Sequence, residues 1–209
     1  MLLAAIVLSF LVTTIASSAA LSSHIFWYLG RAAGLVAYWL LFSSVALGLV
    51  ITSRAFRGLL GRPWVFEIHK FLSLVVLGFM AFHIFIMLPD QFIGFRLDEL
   101  LLPFRSHYRP VALTLGGLTF YGSILLTASF YVRRFIGHRS WRALHYLSFL
   151  LYVLAILHAL LTGSDSGNSL VQLSYFVSGL VVLLLLAERI LNPQPPSLRP
   201  LASDTAAAR

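Results

Sequence analysis

Four of the seven histidines in this sequence lie inside apolar runs. His69 and His83 bracket HKFLSLVVLGFMAFH, and His145 and His158 bracket HYLSFLLYVLAILH. An imidazole in hydrocarbon is costly unless something uses it. On a helix, the 14 residues from His69 to His83 rise about 21 Å and fall about 40° short of four full turns, so both rings share a face. The 13 residues from His145 to His158 rise about 19.5 Å. If the two runs cross a membrane in the same direction, His69 is level with His145, and His83 with His158. Imidazole is a ligand for iron, copper, zinc and nickel. A flat macrocycle ligated on both faces needs two histidines facing each other from two helices, and two such pairs would hold two haems, one above the other. The apolar ring of a haem suits a helix-bundle interior, and its iron offsets the cost of the buried imidazoles. The 13-residue spacing fits less simply. It leaves His145 and His158 about 140° apart on an ideal helix, so either that helix is locally distorted by a 3₁₀ or π segment, or the two haems approach it from different sides. The plainer alternative is hydrogen bonding within a bundle, or a proton relay; four histidines, two per helix and level in pairs, favour ligation. His24, His107 and His138 fall in loops or at interfaces and take no ligand role.

The elements that position these residues are membrane helices. Of the 209 residues, 59% are hydrophobic and only 11% charged, and the mean hydropathy is +0.91. A soluble domain carries about twice that charged fraction. Cysteine is absent, which excludes disulfides, thiolate-held iron–sulfur clusters and thiolate catalysis. A membrane span needs about 20 apolar residues, and six are read: Leu2 to Ala20, Ala32 to Thr52, Val65 to Leu88, Val111 to Val132, Trp141 to Leu161 and Ser169 to Ala187. Backbone groups in lipid must be satisfied within the segment, so the expected fold is an all-α membrane bundle of six transmembrane helices. The first span resembles a signal peptide in its SSAA stretch, yet MLLAAIVLSF lacks the basic start such a peptide needs, so it is expected to be retained. The organisation is then a first helix and outer loop over 1–28, a histidine-bearing core over 29–167, a sixth helix over 168–190, and a disordered tail over 191–209 whose NPQPPSLRP opening forms no packed element.

The net charge of +8 sits in short loops rather than on a nucleic-acid-binding face. Arg54, Arg57 and Arg62 fall in one loop; Arg133, Arg134 and Arg139 in a second, with Arg142 just after it; Arg189 follows the last span. With six spans all three regions lie on one side, which makes that side and both termini cytoplasmic. His69 and His145 are then the inner pair. Trp64 and Trp141 are expected at the inner interface and Trp27 at the outer one. Arg62 and Arg142, nearest the histidine helices, are the candidates to pair with haem propionates, since the guanidinium fork matches a carboxylate. Arg105 and Arg109 are their outer counterparts. In the long outer loop, Phe92, Phe95, Leu97, Leu100 and Leu101 suggest one apolar side of a short interfacial helix, acting as a lid over the bundle or a rim around an outer site. Phe79, Phe82, Phe85, Phe149 and Tyr152 read as bundle packing.

The paired spacing, with RPWVFEIHKFLSL, IGFRLDELLLPF and WRALHYLSFLLYVLAILHALLTGSDSG around it, resembles the ferric reductase-like transmembrane domain over about Leu29 to Gly167. That family includes the membrane halves of ferric reductases and NADPH oxidases and a bacterial haem subunit serving a periplasmic methionine sulfoxide reductase. The resemblance implies two b-type haems and inward-to-outward electron flow, with His69 and His145 on the inner iron and His83 and His158 on the outer. Large members continue into a cytoplasmic FAD and NADPH module. No GxGxxG after a strand is present in this sequence, so a separate flavin reductase, free reduced flavin or a membrane quinol is the expected donor.

The expected function is therefore electron transfer across the plasma membrane to an outer acceptor such as ferric iron, oxygen or a partner protein, by an oxidoreductase or its electron-transfer subunit. Two alternatives stand beside it. One is a haem-bearing anchor that only docks a redox partner. The other is a haem-free transporter using the histidines as a proton relay, against which stands the lack of Asp or Glu in the interior of any span, Glu67 lying at the very start of the third.

Overall fold

A computed structural model of the chain describes residues 24–53 and 61–192. Within them the helices are α1 (Ile25–Thr52), α2 (Arg62–Ile86), the short α3 (Leu97–Leu101), α4 (Pro110–Ile136), α5 (His138–His145), α6 (Leu147–Thr162) and α7 (Ser169–Leu191), with a 3₁₀ turn at Ser164–Gly167. Five helical stretches are long and apolar enough to cross a membrane, α5 and α6 together making one of them. The protein is thus a multi-pass, all-helical membrane protein across its described residues. The expected first span and the tail beyond Asn192 lie outside them.

Local chemistry sets the helix ends. Pro63 and Pro110 stand in the first turns of α2 and α4, where a missing N–H costs nothing. Gly137, at φ +80°, ends α4 after Arg133 and Arg134 and turns the chain into α5. Asn168 caps α7 by accepting the Leu170 N–H at 2.9 Å.

Helix α1 is the hub, packing on α2, α6 and α7. Ala33, Ala37, Leu41, Val45 and Leu49 are buried at every fourth position, with Gly30 and Ser44 beside them. Small residues on this ridge let neighbouring backbones approach, which is the main source of helix association in lipid. Helix α6 packs chiefly on α4, and α2 packs on α1 and α4. The two histidine helices therefore lean on shared neighbours more than on each other, leaving a gap between them. At mid-depth the Tyr38 hydroxyl meets those of Tyr152 (3.1 Å) and Ser178 (2.5 Å), tying α1, α6 and α7 together. Phe79, Phe82 and Phe85 face outward and are exposed, as lipid-facing residues would be, whereas Tyr152 is buried in the core and Phe149 packs against it.

The loop between α2 and α4 is tied down by specific bonds. Arg109 donates to the Leu161 carbonyl at the end of α6, Tyr121 donates to the Leu101 carbonyl at 2.5 Å, and His107 pairs with Glu99 at 2.8 Å. Its apolar residues do not share one side: Phe95 is buried against His107 and Tyr108, while Phe92 and Leu97 are exposed. At the same end Arg31 forms an ion pair with Asp165, fixing the start of α1 to the turn before α7.

Candidate functional site

The four apolar-run histidines stand in two facing pairs. His69 and His145 have ring centroids 6.3 Å apart with planes at 82°, and His83 and His158 stand 6.3 Å apart at 78°. The angular problem posed by the 13-residue spacing is resolved by a break in the helix. Helix α5 ends at His145, and the Tyr146 N–H is shared between the Arg142 (3.2 Å) and Ala143 (3.3 Å) carbonyls before α6 begins. The Phe149 N–H then bonds the Tyr146 carbonyl three residues back. This 3₁₀-like turn rotates His145 relative to His158 and lets each meet its partner on α2.

Three of the four rings are seated by one repeated device. His83 donates Nδ1–H to the Gly30 carbonyl (2.7 Å) and lies against Gly34. His69 donates to the Ser44 carbonyl (2.9 Å) and lies against Gly48. His158 donates to the Ala112 carbonyl (2.8 Å) and lies against Gly116. In each case the acceptor is four residues before the glycine on a neighbouring helix. That carbonyl already accepts its intrahelical bond, and the glycine, lacking Cβ, opens its second lone pair to the imidazole. A carbonyl can only accept, so Nδ1 carries the proton, and Nε2 of the neutral ring is left as a lone-pair donor. Orientation of a ligand imidazole by such a bond is the usual outer-shell arrangement of metal-bound histidine.

This donor set fits a metal held between two imidazoles. With metal–nitrogen bonds of about 2.0–2.1 Å, and each nitrogen about 1.2 Å from its ring centre, the centroids of such a pair lie about 6.4 Å apart. Edge-to-face aromatic pairs span about 4.5–7 Å as well, so the oriented Nδ1–H groups carry more of the argument than the distance. Two imidazoles fall short of the three or four protein ligands zinc takes, and suit an iron whose remaining donors come from a macrocycle. Among the described residues no group of three or more His, Asp or Glu side chains converges.

A cavity of about 840 Å³ surrounds the His69–His145 pair, within the roughly 300–1,000 Å³ usual for ligand and cofactor sites. Its walls include Phe66, Phe130 and Phe149, with Lys70, Arg142 and Arg189 among its charged residues. Arg142 thus falls beside this pair. Arg62 opens α2, and its side chain lies outside the described part of the structure. Lys70 also pairs with Glu67 at 2.8 Å, and Arg189 reaches the Tyr146 hydroxyl at 3.2 Å. His24 packs edge-on to Phe92 and His107 bonds Glu99, both away from the pairs, whereas His138 reaches the cavity wall beside Trp141.

Sequence reasoning missed the glycines, although a signal exists. Gly34 and Gly48 are 14 residues apart, the same interval as His69 and His83 on the antiparallel neighbour. No protein-family model matches this sequence, and no curated protein matches it.

Proposed function

We propose that this chain carries electrons across the plasma membrane through two bis-histidine b-type haems. His69 and His145 would ligate the inner one, and His83 and His158 the outer one. The observation that carries this reading is the pair of facing imidazole couples, with three of the four Nδ1–H groups donated to backbone carbonyls so that Nε2 is free for a metal. When bound, haem iron supplies a one-electron ferric/ferrous couple in a layer that otherwise insulates.

The chain's own residues do the rest. The carbonyls of Gly30, Ser44 and Ala112 hold three rings in the ligating tautomer. Gly34, Gly48 and Gly116 let those rings lie flush on the helices. Leu41, Val45, Phe66, Val76, Phe130 and Phe149 give the His69–His145 cavity a largely apolar wall. Arg142 offers a guanidinium donor to carboxylates at the inner level. Electrons would come from a separate flavin reductase, free reduced flavin or a membrane quinol, and leave to an outer acceptor such as ferric iron, oxygen or a partner protein. A proton relay is less well supported, because rings whose Nδ1–H is bound to a backbone carbonyl must break that bond to pass a proton on.

Substitution tests the reading. His83→Ala and His158→Ala are each expected to lose the outer haem, read as a fall in haem per chain, while the inner haem stays. Unchanged haem content in both variants would refute the assignment.

A further inference from the structure

His145 is built unlike the other three imidazoles. His69, His83 and His158 lie inside long helices, donate Nδ1–H to a carbonyl at 2.7–2.9 Å and press on a glycine. The His145 Nδ1 is buried with no hydrogen-bond acceptor, and no described glycine lies against its ring. His158 meets Gly116 on antiparallel α4, and the α4 position that continues this register toward His145 is Ser129, whose hydroxyl bonds its own helix at Leu126 (2.7 Å). His145 is also the last residue of the short α5, directly before the break at Tyr146. Its ring stacks on Trp141 of the same helix at 5.2 Å, and Trp141 Nε1 is likewise buried without an acceptor. The cavity of about 840 Å³ is lined by both residues.

Releasing any of the other three rings breaks a hydrogen bond and pulls the ring off the helix that seats it. Releasing His145 breaks none, and the short α5 that bears both His145 and Trp141 is separated from α6 by the break at Tyr146. We propose that His145 is a releasable ligand. Resting on the haem reading above, the haem of the His69–His145 pair, when reduced, takes a small neutral ligand of the carbon monoxide class in place of this imidazole, and the haem of the His83–His158 pair does not. The exchange is balanced: the coordinate bond from His145 Nε2 breaks, one from the incoming carbon forms, and no electron or proton is transferred because both ligands are neutral lone-pair donors.

The test uses the purified full chain. Haem per chain is counted first; fewer than two haems overturns the underlying reading before any gas is added. Carbon monoxide is then added to the dithionite-reduced protein. The expected result is a Soret shift in one of the two haems, retained per chain in His83→Ala/His158→Ala and absent in His69→Ala/His145→Ala. If a double variant fails to fold, redox titration with and without carbon monoxide identifies the responding haem: the one whose midpoint potential the gas raises should be the one whose potential Arg142→Gln lowers. A two-haem protein that takes up no carbon monoxide, or takes it up at the His83–His158 haem, overturns the proposal.

Discussion

Alanine at Gly116 would put a methyl carbon 2.7 Å from Cε1 and Nδ1 of His158, at Gly34 2.9 Å from Cε1 of His83, and at Gly48 3.4 Å from Cε1 of His69. Ordinary contact begins at 3.4 Å. The His158 ring would have to retreat by about 0.7 Å and the His83 ring by about 0.5 Å, while His69 barely moves. His158 cannot retreat freely, since its 2.8 Å bond to the Ala112 carbonyl would stretch to the limit of hydrogen bonding. Overpacking costs about 1–3 kcal/mol and the weakened bond about 0.5–1.5 kcal/mol. Together, about 1.5–4.5 kcal/mol weakens haem retention at the His83–His158 site roughly 10- to 1,600-fold. Gly48→Ala should change retention at the other site only a few-fold. The assay is haem per chain after purification, followed by redox titration to identify the remaining haem. The expected order of damage is Gly116→Ala, then Gly34→Ala, then Gly48→Ala. Damage at Gly48 equal to that at Gly116, or loss of the His69–His145 haem from Gly116→Ala, would refute the reasoning.

Three further outcomes follow from other parts of the molecule. Arg142→Gln removes a positive charge beside the His69–His145 cavity, so it should lower that haem's midpoint potential and leave the other unchanged in a redox titration. Asp165→Asn breaks the partly exposed pair with Arg31 and should cost about 1 kcal/mol, seen as a small drop in thermal unfolding temperature that Arg31→Gln does not deepen. In the loop, the hydrogen bond to Glu99 raises the His107 pKa, while the Arg96 N–H and then His107 lower that of Glu99. A raised histidine contributes fully below its ordinary 6.5 and loses that contribution as pH rises through its folded value; a lowered glutamate contributes above its ordinary 4.5 and loses that as pH falls through its folded value. The pairing should therefore be tightest between these ordinary values, with proteolysis of the loop accelerating above and below, and Glu99→Gln should return the His107 titration, followed by NMR, toward 6.5.

The histidine spacing was informative because helical rise is fixed, so an interval of 14 residues states a depth without any knowledge of packing. The same arithmetic left the 13-residue interval unexplained, because the break at Tyr146 involves a shared backbone N–H that no residue type signals. Span positions were legible from apolar length, and ends extended with local chemistry: α4 runs on to Ile136 because Arg133 and Arg134 suit a helix C-terminus until Gly137 turns the chain. The seats of the imidazoles were hidden for another reason. Their acceptors are backbone carbonyls, present at every residue, and only the glycine four positions later marks which ones are open. In the sequence Arg189 gives only an orientation signal, since its place beside the cavity depends on how α7 folds back on α1.

The most direct test of the central claim is the absorbance spectrum of the purified protein, oxidised and dithionite-reduced, with haem quantified per chain. The account predicts two b-type haems per chain, with at least the outer one low-spin and six-coordinate. Fewer than two haems per chain, after expression with ample haem supply, would contradict it, and none would return the four imidazoles to hydrogen bonding within the bundle.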